Sequence, residues 1–114
     1  MSIVIWHNPR CSKSRQTLEL IRAQGIEPDI RLYQEDAPAV AELQQVLTLL
    51  QQPALALTRS KDALFKELGL RKDMDDSDLI KALAANPKLI ERPVVLANGR
   101  AALGRPPESV LQIL

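Results

Sequence analysis

A chain of 114 residues that is 46% apolar and 25% charged, with a net charge of +1, has the make-up of one globular domain spanning residues 1–114. That balance excludes an intrinsically disordered chain, and with no basic run it argues against nucleic acid as a partner. No apolar stretch reaches the ~18 residues of a membrane span, and no basic, apolar and cleavable leader opens the sequence, so a cytoplasmic protein without membrane attachment is expected.

Ile3 to Trp6 is a short apolar, β-branched run suited to a buried strand, and His7-Asn8-Pro9 breaks it before a helical pattern begins. Cys11, the only cysteine, therefore falls at a strand-to-helix turn. The first turn of a helix offers unpaired N–H groups and the positive end of the macrodipole, and both favour a thiolate over a thiol. Arg10, Lys13 and Arg15 add positive charge nearby, so Cys11 is read as a reactive thiol whose surroundings also suit a small oxyanion. His7 is expected to orient the loop by hydrogen bonding. Ser14 either hydrogen-bonds the thiolate or is an ordinary first-turn residue, and Asn8 reads as a turn-former. With one cysteine and one histidine no metal site is expected, and redox chemistry at Cys11 needs a thiol from another molecule.

Leu18 and Ile21 carry the first helix to a stop at Gly25. Ile30, Leu32 and Tyr33 around Arg31 suggest a strand with one covered face, completing a βαβ unit. Asp36-Ala37-Pro38 is expected to open a second helix with a stripe through Val40, Leu43, Val46, Leu47 and Leu50, ended by Gln51-Gln52-Pro53. Ala54 to Thr58 is ambiguous and reads as connection. Ser60 is expected to cap a short third helix through Leu64, Phe65 and Leu68, closed by Gly69. Asp75 to Asp78 opens a fourth, carrying Leu79, Ile80 and Leu83 and stopped by Asn86-Pro87. Val94 to Leu96 reads as a strand, Asn98-Gly99 as a tight hairpin turn and Arg100 to Leu103 as the returning strand. Pro106-Pro107 would open a last helix docking through Val110, Leu111 and Leu114. The fold class is thus α/β: a four-stranded mixed sheet, βαβ then ββα, with a helical insert between the halves. That is the thioredoxin topology.

His7-Asn8-Pro9-Arg10-Cys11-Ser12-Lys13-Ser14-Arg15, Leu57-Thr58-Arg59, Glu67-Leu68-Gly69-Leu70, Glu91-Arg92-Pro93-Val94-Val95 and Gly104-Arg105-Pro106, in this order, resemble the glutaredoxin-dependent arsenate reductase family from end to end. The resemblance implies that Cys11 is the nucleophile attacking arsenate, that Arg59, Arg92 and Arg105 hold the oxyanion, and that Pro93 follows a cis bond. It also implies glutathione as reducing co-substrate and glutaredoxin as partner; no bound cofactor and a monomer are expected. Where that family commonly has a small residue before the cysteine and Gly-Thr after it, Arg10, Ser12 and Lys13 stand here. Two other readings use the same residues. One is a glutathione-linked thiol transferase or reductase of another substrate. The other is a non-enzymatic regulator like the Spx proteins, disfavoured because Ser14 stands where their second switch cysteine would be.

Overall fold

The computed structural model describes residues 2–114. The chain divides into two compact units, one made of the segment ending at Asp36 with the segment from Arg92 to Leu114, the other Ala37–Glu91.

The first unit is built on a four-stranded sheet in the order β2-β1-β3-β4, from β1 (Val4–Trp6), β2 (Asp29–Arg31), β3 (Val94–Ala97) and β4 (Arg100–Leu103). β1 runs parallel to β2 and antiparallel to β3, and β3 runs antiparallel to β4, which is the βαβ and ββα arrangement of a thioredoxin-like fold. The crossover helix α1 (Ser12–Ala23) lays Leu18 and Ile21 on Ile5, Val95 and Ala97, and Val110 and Ile113 join them in one cluster. Each fully buried side chain of this kind contributes about 1.5–3 kcal/mol. Asn98 (φ 56°) and Gly99 (φ 70°) form the β3–β4 turn in the left-handed conformation that a two-residue hairpin of this hand requires.

Two expectations change here. Ile30 and Leu32 are not a covered face: they are 42% and 37% exposed, whereas Tyr33 is fully buried. β2 is an edge strand, and the apolar cluster is centred on β1 and β3, so Ile30 lies beyond its cover. The C-terminal segment Pro107–Ile113 is a 3-10 helix, not an α-helix. Its buried residues Pro107, Val110 and Ile113 recur every third position, the period at which 3-10 side chains align, and Leu111 is exposed in consequence.

The second unit is helical. In α2 (Val40–Leu50) Leu43, Val46 and Leu47 are buried, and in α4 (Asp76–Ala85) Leu79, Ile80 and Leu83 are. α4 packs against α2 and against two 3-10 turns, Ala54–Leu57 and Pro87–Leu89. The first of these turns is the stretch whose periodicity was ambiguous. α2 starts four residues later than Asp36, because Pro38 keeps its predecessor out of helical backbone and Ala39 is still extended. Ala39 cannot cap with its side chain, and Glu42 instead accepts the Ala39 N–H at 3.0 Å.

The cap of α3 (Ala63–Glu67) is Asp62 rather than Ser60. Its carboxylate accepts the Leu64 N–H at 2.9 Å, and a carboxylate also complements the positive end of the helix. Asp62→Ala should cost about 1–2 kcal/mol, read as a lowered thermal midpoint, because a helix this short depends on its cap. No helix among the described residues is long and apolar enough to cross a membrane.

Candidate active site

Strand register brings the site together. Trp6 is paired with both Arg31 and Val94, and Val94 with Leu103. The chain leaving β1, the chain leaving β2, the chain entering β3 and the chain leaving β4 therefore meet at one end of the sheet. These are the segments of Cys11, Tyr33, Arg92 and Arg105.

The loop after β1 is held at every step. His7 N–H donates to the Arg31 carbonyl at 2.8 Å, which fixes its exit from the sheet. Asn8 N–H donates to Ser14 Oγ at 3.0 Å, and that hydroxyl lies 2.6 Å from His7 Nδ1. The Asn8 side chain accepts the Arg10 N–H at 3.0 Å, and the Asn8 carbonyl accepts the Cys11 N–H at 3.0 Å. Asn8 is thus the turn-former, and His7 and Ser14 form a buried lock behind the loop. Burial lowers the pKa of His7, and the charges of Arg22 and Arg15 lower it further, so the ring is neutral near pH 7.

Cys11 is the N-cap residue of α1 and is 9% exposed. Burial alone would push its thiol up. A hydrogen bond from the Arg92 guanidinium, the Ser14 N–H, the charge of Arg92 and the Lys13 N–H together outweigh burial and bring the pKa below the ordinary value of 9.0. Arg105 adds a contact, Nη2 lying 3.7 Å from Sγ. Its own Nε donates to the Arg92 carbonyl at 2.8 Å, so the two arginines are tied across the open end of the hairpin.

This corrects two parts of the sequence reading. The flanking cations Arg10, Lys13 and Arg15 are exposed, and the cations acting on the sulfur come from the far end of the chain. Arg15 instead fastens the loop, donating to the Pro9 carbonyl at 2.9 Å. Ser14 acts on the thiol through its backbone N–H, while its hydroxyl serves His7 and Asn8.

The Arg92-Pro93 bond is cis as expected, and so is Arg105-Pro106. Pro93 is buried, and its carbonyl accepts the Gly104 N–H at 2.9 Å. Gly104 is the closest approach in this region: a Cβ there would meet Thr17 Oγ1 and stand 2.6 Å from Pro93 Cγ. Gly104→Ala should therefore force β4 away from Pro93 and α1. The expected result is a stability loss of about 1–3 kcal/mol in a denaturant melt, with slower alkylation of Cys11 as Arg105 is displaced.

Arg59 belongs to the helical unit. Its N–H donates to the Leu89 carbonyl at 2.7 Å, and Asp62 holds its guanidinium at 2.9 Å. Among the described residues no group of three or more His, Cys, Asp or Glu side chains could hold a metal ion.

One residue escaped the sequence reading. Tyr33, taken there as a strand residue, is fully buried at the site end of the sheet, with the Arg92 and Gln34 side chains beside its hydroxyl. Its only signal in the sequence was an aromatic placed just past a strand end.

Fold and site together define a thioredoxin-like protein with a single activated thiol beneath two guanidinium groups. The chain belongs to the ArsC family, whose model matches residues 6–113. It is 45% identical over 116 residues to an arsenate reductase of Haemophilus influenzae, covering 100% of both chains. It is 48% identical over 114 residues to the uncharacterized protein YfgD of Escherichia coli K12, covering 98% of this chain and 96% of the relative. The solved structure of an arsenate reductase from Vibrio cholerae superposes with a TM-score of 0.95 at 50% identity, covering 100% of this chain and 98% of the other.

Proposed function

We propose that this protein is an arsenate reductase that draws its reducing power from external thiols. The observation that carries the reading is Cys11 itself: a lone cysteine at a helix N-terminus, its pKa lowered, with Arg92 hydrogen-bonded to it and Arg105 Nη2 at 3.7 Å. The names of the H. influenzae and V. cholerae relatives supply the substrate.

Arsenate carries one to two negative charges at neutral pH, so an attacking thiolate must be screened from it. Guanidinium groups do this because they stay charged and bind oxyanions through two parallel N–H bonds. Arg92 and Arg105 fill this role beside Cys11, and the family resemblance assigns a third such role to Arg59. The Cys11 sulfur displaces water from arsenate and forms an S–As bond. Glutathione displaces a second water from the adduct and forms its own S–As bond. A glutaredoxin thiolate then attacks the glutathione sulfur, the S–As electron pair stays on arsenic, and hydrolysis of the remaining Cys11 S–As bond releases arsenite and returns the Cys11 thiol. Arsenic passes from As(V) to As(III), and two thiols become one disulfide. With one cysteine in the sequence, no internal relay of thiols can supply those electrons. On this reading the protein works in the cytoplasm, where glutathione is kept reduced, as a monomer with no bound cofactor.

The rival use of the same thiol is transfer to or from glutathione mixed disulfides. Rates with arsenate and with a low-molecular-weight glutathione mixed disulfide, measured side by side with glutathione and glutaredoxin present, separate the two. The reductase reading requires arsenate to be the faster substrate. A protein that turns over the mixed disulfide and ignores arsenate is a thiol transferase, and one that does neither but retains RNA polymerase from lysate is a regulator.

A further inference from the structure

Tyr33 sits two residues past the end of β2, at the sheet end where Cys11, Arg92 and Arg105 converge. It is fully buried, and its hydroxyl has no hydrogen-bond partner of good geometry. A buried hydroxyl in that state has given up water without full replacement, and phenylalanine would fill the same space without that loss. The hydroxyl therefore needs another reason to be there. Its neighbours supply one, because the Arg92 guanidinium stands beside it and Arg92 in turn donates to the Cys11 sulfur.

Arginine has donors only, so what the phenol oxygen can offer it is a lone pair. We infer that Tyr33 is a positioning residue, its hydroxyl oxygen setting the Arg92 guanidinium so that a donor edge stays on the Cys11 sulfur. Burial pushes the phenol's pKa up against the pull of Arg92 and Gln34, so the group stays neutral and does not cancel the positive charge it positions. A carboxylate in the same place would orient Arg92 and neutralise it together. The inference concerns the thiolate and does not rest on arsenate being the substrate.

The groups that act on Cys11 from around it are Arg92, Arg105 and the N–H groups of Lys13 and Ser14, with Tyr33 beside Arg92 and neutral His7 behind Ser14. Among these, Tyr33→Phe removes one oxygen and leaves every charge in place. The test is the pH dependence of iodoacetamide alkylation of Cys11, with thermal midpoints measured on the same proteins. Tyr33→Phe should shift the alkylation profile upward by about 0.5–1 pH unit, which is about 3- to 10-fold slower alkylation below the midpoint. Its thermal midpoint should equal or exceed that of the parent protein. In an Arg92→Gln background the same substitution should produce no further shift. An unchanged profile in Tyr33→Phe, with or without a lower thermal midpoint, would make Tyr33 an ordinary core residue. An equal shift in the Arg92→Gln background would mean that the hydroxyl acts on the thiol directly, and would overturn the route through Arg92.

Discussion

Cys11→Ser is expected to reduce arsenite formation by ~10³-fold or more while leaving the fold intact. The substitution exchanges sulfur for oxygen at a small, buried N-cap position, and serine is a better cap than cysteine, so helix α1 should be no less stable. The chemistry is lost because a hydroxyl titrates far above a thiol, and the guanidinium and backbone N–H groups that lower the Cys11 pKa cannot bring an alkoxide into the neutral range. The measurement is arsenite released per protein per minute, with circular dichroism and a thermal melt as the control for folding. Residual turnover near that of the parent protein would mean that the nucleophile lies elsewhere.

Arg92→Gln is expected to have the next largest effect, about 10²- to 10³-fold in turnover. On the proposed mechanism Arg92 acts twice, first on the thiol and then on the oxyanion. Its hydrogen bond and charge both favour the thiolate, so without them burial dominates and the Cys11 pKa rises. At neutral pH a smaller fraction of the protein is then in the attacking form, and the pH–rate profile moves to the alkaline side. Raising the pH should recover the part of the loss due to thiolate fraction but not the part due to oxyanion binding. That split makes the variant informative. Full recovery at high pH would limit Arg92 to tuning the thiol. Arg92 is half-buried, and Arg105 donates to its backbone carbonyl rather than its side chain, so Arg105 should stay in place.

Much of this site is legible in the sequence because its centre is local. Cys11 sits within a few residues of a strand end and a helix start, and the signals for both are short-range: an apolar run, Asn8-Pro9, then a polar helical pattern. The Asn98-Gly99 hairpin is equally local, since only residues tolerant of positive φ fit its two turn positions. The resemblance named Arg92 and Arg105, but what brings them to Cys11 is long-range register. Val94 pairs with Trp6 on one side and Leu103 on the other, so residues two positions outside the hairpin face the loop after β1. No periodicity in the sequence carries that information.

The misses share a physical cause. Arg10, Lys13 and Arg15 neighbour Cys11 in the sequence yet are exposed, because nearness along the chain says nothing about which way a side chain points. Ile30 and Leu32 follow a strand pattern, yet a pattern cannot say that the strand is at an edge with its face uncovered. Tyr33, one residue on, is buried because the chain has turned in toward the site. Asp62 rather than Ser60 is the cap because α3 starts only at Ala63, and the same carboxylate also holds Arg59 three residues earlier. The 3-10 geometry of Pro107–Ile113 follows from which residues meet the core, and Ile113 rather than Leu111 does so.

The most direct measurement is arsenate-dependent NADPH oxidation by the intact protein in a system coupled through glutathione, glutaredoxin and glutathione reductase, omitting one component at a time. The account requires oxidation that tracks arsenate and stops when this protein, glutathione or glutaredoxin is left out. A folded protein whose Cys11 alkylates readily below pH 8, yet supports no arsenate-dependent oxidation in the complete system, would contradict it.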